Sequence, residues 1–514
     1  MNYRLVSRYL GHFSVAIGLL MGPSALWALY FTEWRELIAL MGSMAVCGAV
    51  GFGLTRFGRN ADTALYQREA LGLVGVSWLV AAGLGALPYV FAGVFNYVDA
   101  YFECMSGFTT TGSSVLTDFE GAGKSIMFWR SFTHWLGGMG IIVLFIAVLP
   151  YLGAGGKQLF KSESPGPDPR GLRPRIKDTA AILYSIYFGF TVAETLLLML
   201  AGLNPYEALC QTFGTLATGG FSTRQESIAG FNNLAVDIVI IFFMVCAGGN
   251  FALYFAMLKG NLKAPWKDTE WRVYITILIV CVILVTFNLM GVEGTFRGDT
   301  PPEGSTQAMQ ALAHRAALGA PAEPTKYGFG KALRYGSFQV VSIMTTTGFC
   351  TDNFDKWPYF SRALLVVLMF VGGCAGSTGG GLKVVRVVML LKMAYWRLEN
   401  TFKPKMVRAI RISGQVVDES VQKTVYAFFV LYLLWFAGGT LFMSLLGLPF
   451  QTAITSVAAT LNNIGPGLEH VGAEMNYALV PAVGKVFLSL CMVLGRLELF
   501  SICVLFAPAF WRHD

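Results

Sequence analysis

Four short segments of this chain join threonine or asparagine to glycine: Thr109-Thr110-Thr111-Gly112, Leu216-Ala217-Thr218-Gly219, Thr345-Thr346-Thr347-Gly348 and Asn462-Asn463-Ile464-Gly465. Their glycines recur a little over a hundred residues apart. Each segment follows about a dozen moderately apolar residues, too few to cross a bilayer. Irregular backbone at membrane depth leaves carbonyls unpaired, which is tolerated only where it is packed in protein or lines a wet cavity. Four such loops converging on one axis would present a ring of carbonyl oxygens, and such a ring can replace the hydration shell of a potassium ion. Glycine suits these loops because the strand must take backbone angles that a Cβ obstructs. A half-helix before each loop would aim its negative C-terminal end at the cation path.

A second feature is Gly372-Gly373-Cys374-Ala375-Gly376-Ser377-Thr378-Gly379-Gly380-Gly381, set within an apolar block. Each helical glycine costs about 1 kcal/mol relative to alanine, so this stretch should not stay helical. A small-residue helix interface would place its glycines four apart on one face. The pairs and triplet here point instead to an intramembrane loop below the ring. Arg496 stands among Met492-Val493-Leu494-Gly495-Arg496-Leu497-Glu498, where a charge must face water or a partner. It reads either as a buried structural pair or as a cation barrier beside the ion path. Glu498, two positions on, points elsewhere on a helix. His134 has no Cys, His or carboxylate at ligand or relay spacing and reads as a packing residue. Glu194 is a lone intramembrane carboxylate, for which ion coupling and helix pairing are equally open.

The elements that must position these residues are membrane helices. Of the 514 residues, 55% are hydrophobic and 13% charged, half the charged share of a soluble protein, which is about 25%. The net charge of +8 lies in short segments between apolar blocks and not on one soluble face, which argues against a nucleic-acid partner and fits the pattern that orients membrane helices. The nine cysteines include no Cys-x-x-Cys, so neither a metal site nor a disulfide framework is indicated. The stretch from Phe13 to Phe31 is longer than a signal core and ends in no convincing cleavage site, so it reads as a retained first helix. The apolar blocks predict leading helices at 9–31 and 35–55. Paired helices follow at 70–93 and 125–150, 179–202 and 234–258, 271–291 and 361–394, and 423–446 and 479–508. Half-helices fall at 97–108, 204–216, 332–344 and 449–461.

The expected fold is thus an all-α integral membrane protein with ten spanning helices. Four pseudo-repeats of helix, pore half-helix, filter loop and helix surround one pore behind two N-terminal helices. The division is 1–67 for the leading helices, then repeats at 68–160, 161–264, 265–411 and 412–514. The third repeat carries an external insertion at 293–329, rich in Pro, Gly, Ala and Thr, and the intramembrane loop 372–381. Residues 161–175 (KSESPGPDPRGLRPR) read as a solvated basic linker. Placing the N-terminus in the cytosol leaves most Lys and Arg on that side and most acids on the loop side.

These loops, with His134-Trp135-Leu136-Gly137-Gly138-Met139-Gly140, resemble the Trk/Ktr/HKT superfamily of potassium transporters over essentially the whole chain outside the insertion. The two leading helices resemble the bacterial Trk-type membrane subunit more than the shorter Ktr one. The resemblance implies potassium as the transported ion, with no organic cofactor, in a bacterial cytoplasmic (inner) membrane. It also implies a homodimer with a pore in each protomer, contact with membrane lipid, and a cytosolic ring of nucleotide-binding RCK domains (TrkA-like) that gates the pore. Filter oxygens would come from Thr111 and Gly112, Thr218 and Gly219, Thr347 and Gly348, and Ile464 and Gly465, with Thr110, Thr346 and Asn463 beside them. Gly372, Gly373, Gly376, Gly379, Gly380, Gly381 and Arg496 would form the gate. The fourth loop departs in carrying Asn-Asn-Ile. Two other readings compete: a potassium-binding subunit of a P-type pump, resembling KdpA, and an integral membrane enzyme, for which the chain lacks a clustered acid, base or metal constellation.

Overall fold

The structure, a computed structural model, describes residues 1–60, 66–140, 176–294, 325–403, 409–497 and 499–511. The linker 161–175, most of the insertion 293–329, the end of the helix expected at 125–150, and Glu498 lie outside the described residues.

The N-terminal pair consists of α1 (Tyr3–Leu20) running on into α2 (Gly22–Tyr30), and α3 (Trp34–Phe57). Glycines decide how they pack. A Cβ on Gly11 would strike the Gly51 carbonyl, and one on Gly18 would meet the Cys47 side chain. Small residues let the two backbones approach closely, which is how apolar helices associate where no hydrophobic drive acts between them.

Helices α4 (Gln67–Gly85), α5 (Leu87–Phe91), α6 (Tyr97–Phe108) and α7 (Lys124–Gly138) follow. The second unit has α8 (Ile176–Leu200), α9 (Pro205–Leu216), α10 (Leu234–Ala247) and α11 (Phe251–Leu258). The third has α12 (Thr269–Leu289), α13 (Phe329–Met344), α14 (Tyr359–Met369) and α15 (Val384–Phe402). The fourth has α16 (Glu419–Leu445), α17 (Phe450–Leu461) and α18 (Ala482–Arg496). In each unit the short middle helix ends at a Thr/Gly or Asn/Gly loop. One apolar cluster joins the first and fourth units to the N-terminal pair, and a second joins the second and third units. Two-residue ladders, Glu293–Gly294 with Thr325–Lys326 and Arg411–Ile412 with Gln415–Val416, close the base of the insertion and a turn after α15.

Sequence and structure differ where helices break. Among the described residues six helices are long and apolar enough to cross a membrane, or seven counting one bent pair, against the ten expected. The closing helices of the second, third and fourth units account for three of the missing spans, and the one expected at 125–150 runs beyond the described residues. The helix expected at 234–258 is two, α10 and α11, bent by 94° at Gly248-Gly249-Asn250. The Gly248 carbonyl turns out to accept the Cys374 N–H at 2.8 Å, and the Asn250 side chain caps α11 through the Ala252 N–H. The helix expected at 361–394 is divided into α14 and α15 by the expected glycine loop. The one expected at 479–508 ends at Arg496, followed by short turns.

Candidate ion-conduction site

The four half-helices start differently and end alike. Asn96 and Asn204 cap α6 and α9, their side-chain oxygens accepting the Asp99 and Glu207 N–H groups at 3.0 and 2.8 Å. Helices α13 and α17 begin without a side-chain cap. Every one closes in the same turn. An N–H reaches five residues back, from Thr111 to Ser106, Gly219 to Gly214, Thr347 to Ser342 and Ile464 to Ala459, at 2.8–2.9 Å. The residue before it reaches three back, from Thr110 to Gly107, Thr218 to Thr215, Thr346 to Ile343 and Asn463 to Thr460. This is the double bond of a Schellman cap, which calls for a left-handed residue and usually recruits glycine. Here Thr110, Thr218, Thr346 and Asn463 fill it, with φ of +54°, +54°, +61° and +54°. A β-branched residue in that region is an outlier. Strain of this kind costs about 1–3 kcal/mol per residue and collects at functional sites.

This backbone signature corrects the register of the second loop. Two residues after each strained one comes a left-handed glycine: Gly112, Gly220, Gly348 and Gly465, with φ of +84°, +81°, +79° and +102°. The counterpart of Gly112 is therefore Gly220, one residue later than the pattern Leu216-Ala217-Thr218-Gly219 suggests. Gly219 takes the place of Thr111, and a Cβ there would strike the His134 ring.

The loops close a ring in chain order. A Cβ on Gly112 would fall on the Gly219 carbonyl, one on Gly220 on that of Thr347, and one on Gly348 on that of Ile464. One on Gly465 would press on the Thr111 carbonyl and Gly112. All four glycines line one cavity of about 100 Å³ at the outer mouth. Asn463 ties the last loop to the first by donating to the Thr111 hydroxyl at 2.9 Å, and Ser113 donates to the Gly465 carbonyl at 3.1 Å. His134 is a brace, as its isolation suggested. Its Nε2 accepts the Phe221 N–H at 3.2 Å, so Nδ1 carries the proton and donates to the Gly107 carbonyl at 2.8 Å.

Beneath the ring lies the glycine loop. Gly380 N–H donates to the Thr346 hydroxyl at 2.8 Å, and a Cβ on Gly380 would meet the Asn462 carbonyl. Gly372, Gly376 and Gly381 are left-handed, and Gly373 and Gly379 pack against the Gly248 and Thr345 carbonyls. The Arg496 guanidinium donates to the Thr378 carbonyl and, at 2.6 and 2.8 Å, to those of Gly137 and Gly138. It spans the loop and the end of α7. Buried Lys383 donates to the Gly379 carbonyl.

Several residues of this site were not singled out from the sequence. Glu270 accepts the Ala375 and Val385 N–H groups at 2.7 and 3.0 Å on one oxygen, tying the glycine loop to the start of α15. In the sequence it passes for one of the boundary charges of Lys267-Asp268-Thr269-Glu270. Glu103 and Arg130 form a buried pair at 2.6 Å behind the first loop. Glu194 is fully buried, with no hydrogen-bond partner for either carboxylate oxygen among the described residues. At the outer mouth, burial raises the Asp355 carboxyl to about 6, against the opposing pull of the Glu469 N–H and Arg362. Burial also raises Asp352, although Tyr327, Trp357 and the Asn353 N–H bond to it. Among the described residues no group of three or more His, Cys, Asp or Glu could hold a metal ion.

Comparison with known proteins gives a consistent picture. The TrkH family model, described as cation transport protein, matches residues 39–513. The chain is 36% identical over 521 residues to the Trk system potassium uptake protein TrkH of Escherichia coli K12, covering 100% of both chains. It is 28% identical over 516 residues to TrkG of the same strain, covering 99% of each. The crystal structure of the potassium transporter TrkH from Vibrio parahaemolyticus superposes with a TM-score of 0.82 at 32% identity, covering 100% of both chains.

Proposed function

This chain belongs to the TrkH family of cation transport proteins, and from its ring of loops we propose that potassium crosses the membrane through the four backbone segments, stripped of water as it passes. The chain is a transport protein and not an enzyme, the membrane subunit of a Trk potassium uptake system. Full-length likeness to Trk subunits decides against the pump-subunit reading.

One observation carries the selectivity proposal. Four strained caps of identical hydrogen-bond pattern set their glycines against the next loop's carbonyl in a closed circuit around one cavity. A ring built of backbone alone has oxygens of fixed field strength, and it needs no side chain to bind a dehydrated cation. Thr110, Thr111, Gly112, Thr218, Gly219, Thr346, Thr347, Gly348, Asn463, Ile464 and Gly465 would line it, with Gly220 joining them on the corrected register.

The loop 372–381 is the proposed gate. Its backbone is bonded to the third ring segment and packs closely on the fourth at Asn462, and its carbonyls at 378 and 379 carry the cations Arg496 and Lys383. A positive charge in a low-dielectric path raises the barrier to a second cation. A partner that binds one loop position more tightly than the other would shift the gate. The basic helix α15 follows directly, with the exposed Lys392 and Arg397 along it, and is the proposed docking surface for a nucleotide-binding RCK ring. A homodimer in a bacterial cytoplasmic membrane, N-terminus in the cytosol, completes the reading.

Rubidium uptake into proteoliposomes holding this chain alone is the test. Potassium should block rubidium entry at concentrations where sodium and lithium do not. Equal block by all three would overturn the selectivity proposal.

A further inference from the structure

Between the N-terminal pair and the second half-helix, on the mouth side of the molecule, lies an open groove of about 1150 Å³. Leu26, Trp27 and Tyr30 of α2 form one wall, and Phe128 of α7 with Tyr206 and Leu209 of α9 the other. The Trp27 ring lies 5.4 Å from that of Tyr206 and 5.8 Å from that of Phe128. Leu26 and Tyr30 stay 67% and 75% exposed. The groove sits at the mouth-side end of the 28-residue apolar span Tyr3–Tyr30, the level at which acyl chains give way to headgroups and aromatic rings gather.

The rim carries charge of both signs. Lys124 places its ammonium 4.7 Å from the Phe31 ring centroid and makes no ion pair among the described residues. The exposed Glu120 carboxylate is likewise without an ionic partner among them. The third charged rim residue, Glu207, is occupied by Arg224 at 3.0 Å. One cation and one anion therefore remain at the mouth of an apolar slot.

We propose that this groove binds a zwitterionic phospholipid with a primary ammonium headgroup, its phosphate on Lys124, its ammonium on Glu120 and an acyl chain along Leu26 and Leu209. A phosphate takes a charge-assisted hydrogen bond from lysine, and a primary ammonium gives one to a carboxylate. A choline headgroup has no N–H to give, and a glycerol headgroup leaves Glu120 facing an uncompensated anion. The lipid would fill the space between α2 and the half-helix α9, where Tyr206 already donates to the Lys124 carbonyl at 2.8 Å.

Native mass spectrometry of the full chain in mild detergent tests this, titrating dioleoyl phosphatidylethanolamine, phosphatidylcholine and phosphatidylglycerol in turn. The ethanolamine lipid should give one tightly held adduct per protomer. Lys124→Gln and Glu120→Gln should each weaken it about tenfold, the loss of one charge-assisted contact. Leu26→Trp, which fills the slot from an exposed position, should abolish that adduct while the protein elutes as before. The proposal is overturned if the three lipids bind alike or if Leu26→Trp keeps the adduct. A dimer that falls to monomer on Leu26→Trp without losing lipid would put a second copy in the groove, and also overturns it. The readout is a bound mass, so it stands apart from whether the ring conducts.

Discussion

The first and third loops of the ring share one turn and are held by opposite means. Behind the first, Glu103 of α6 accepts from Arg130 Nε at 2.6 Å, the Ser114 hydroxyl at 2.9 Å and the Val115 N–H at 2.8 Å. Arg130 also donates to the Ser222 carbonyl at 2.9 Å and lies 3.5 Å from the Phe221 ring centroid. One ion pair thereby fastens the first loop to the second. The matching position behind the third loop, five residues before the end of α13, is Gln339, whose buried amide has no hydrogen-bond partner among the described residues. The third loop is held by the neutral bond of the Ser342 hydroxyl to the Phe349 carbonyl at 2.7 Å, beside the Thr345–Thr347 bond at 2.9 Å that repeats Thr109–Thr111 of the first loop. Its strained Thr346 accepts from the glycine loop below, while the hydroxyl of Thr110, its counterpart, has no partner among the described residues. The first loop is thus anchored to the body and the third to the glycine loop, the proposed gate. A moving gate would act on one side of the ring and leave the other as a fixed reference.

The comparison breaks most sharply at the ion pair. Arg130→Gln leaves Glu103 charged and buried, which should cost about 3–5 kcal/mol, read as a fall in thermal unfolding temperature in detergent. Adding Glu103→Gln should recover part of it. A single variant as stable as the parent would show that the pair does not anchor the first loop.

Next in size is Gly348→Ser. Its Cβ would be driven into the Ile464 carbonyl at a left-handed position. Rubidium uptake should fall or its preference over sodium relax, with helical content unchanged by circular dichroism. Retention of both would remove Gly348 from the ring's working surface. Arg496→Ala takes away the charge at the Thr378 carbonyl and should raise rubidium flux in liposomes lacking any partner. Lower stability with no gain in flux would make Arg496 a strut instead.

A matched pair sharpens the contrast between the loops. Thr346→Val removes the acceptor of the Gly380 N–H, a loss of about 1–3 kcal/mol for a buried group left unpaired, and should loosen the gate and raise basal flux. Thr110→Val removes a hydroxyl with no partner and should leave flux unchanged. Equal effects from the two would dissolve the distinction.

The smallest effect concerns the outer mouth. The Asp355 carboxyl is raised by burial from 3.8 to about 6, so the folded protein holds that proton more tightly than the unfolded chain. The stabilisation is complete below the unfolded value and is lost as pH rises through about 6. Relative to Asp355→Asn, the parent should therefore lose thermal stability between pH 4 and 6.5. A constant difference between the two would contradict this.

Much of the ring was legible from local pattern. The half-helices expected at 97–108, 204–216 and 449–461 form as Tyr97–Phe108, Pro205–Leu216 and Phe450–Leu461, because their limits are set by neighbouring caps and by apolar runs too short to span. The glycine loop was legible for the same reason, since consecutive glycines weaken a helix wherever it lies. The second loop was not. Gly219 and Gly220 look alike in the chain, and which of them turns left-handed depends on a bond five residues back and on the His134 ring packed against Gly219.

Composition and spacing by themselves determined a membrane protein with four half-helices, four glycine-bearing loops and one intramembrane break, since each follows from segment length or backbone freedom. Tertiary structure alone decided that the loops meet in chain order, that the chain bends between α10 and α11 at Gly248, and that Glu270 holds the glycine loop from a helix more than a hundred residues away. These features rest on partners brought together by packing. A carboxylate at a helix start looks the same in sequence whether it faces water or accepts two buried N–H groups.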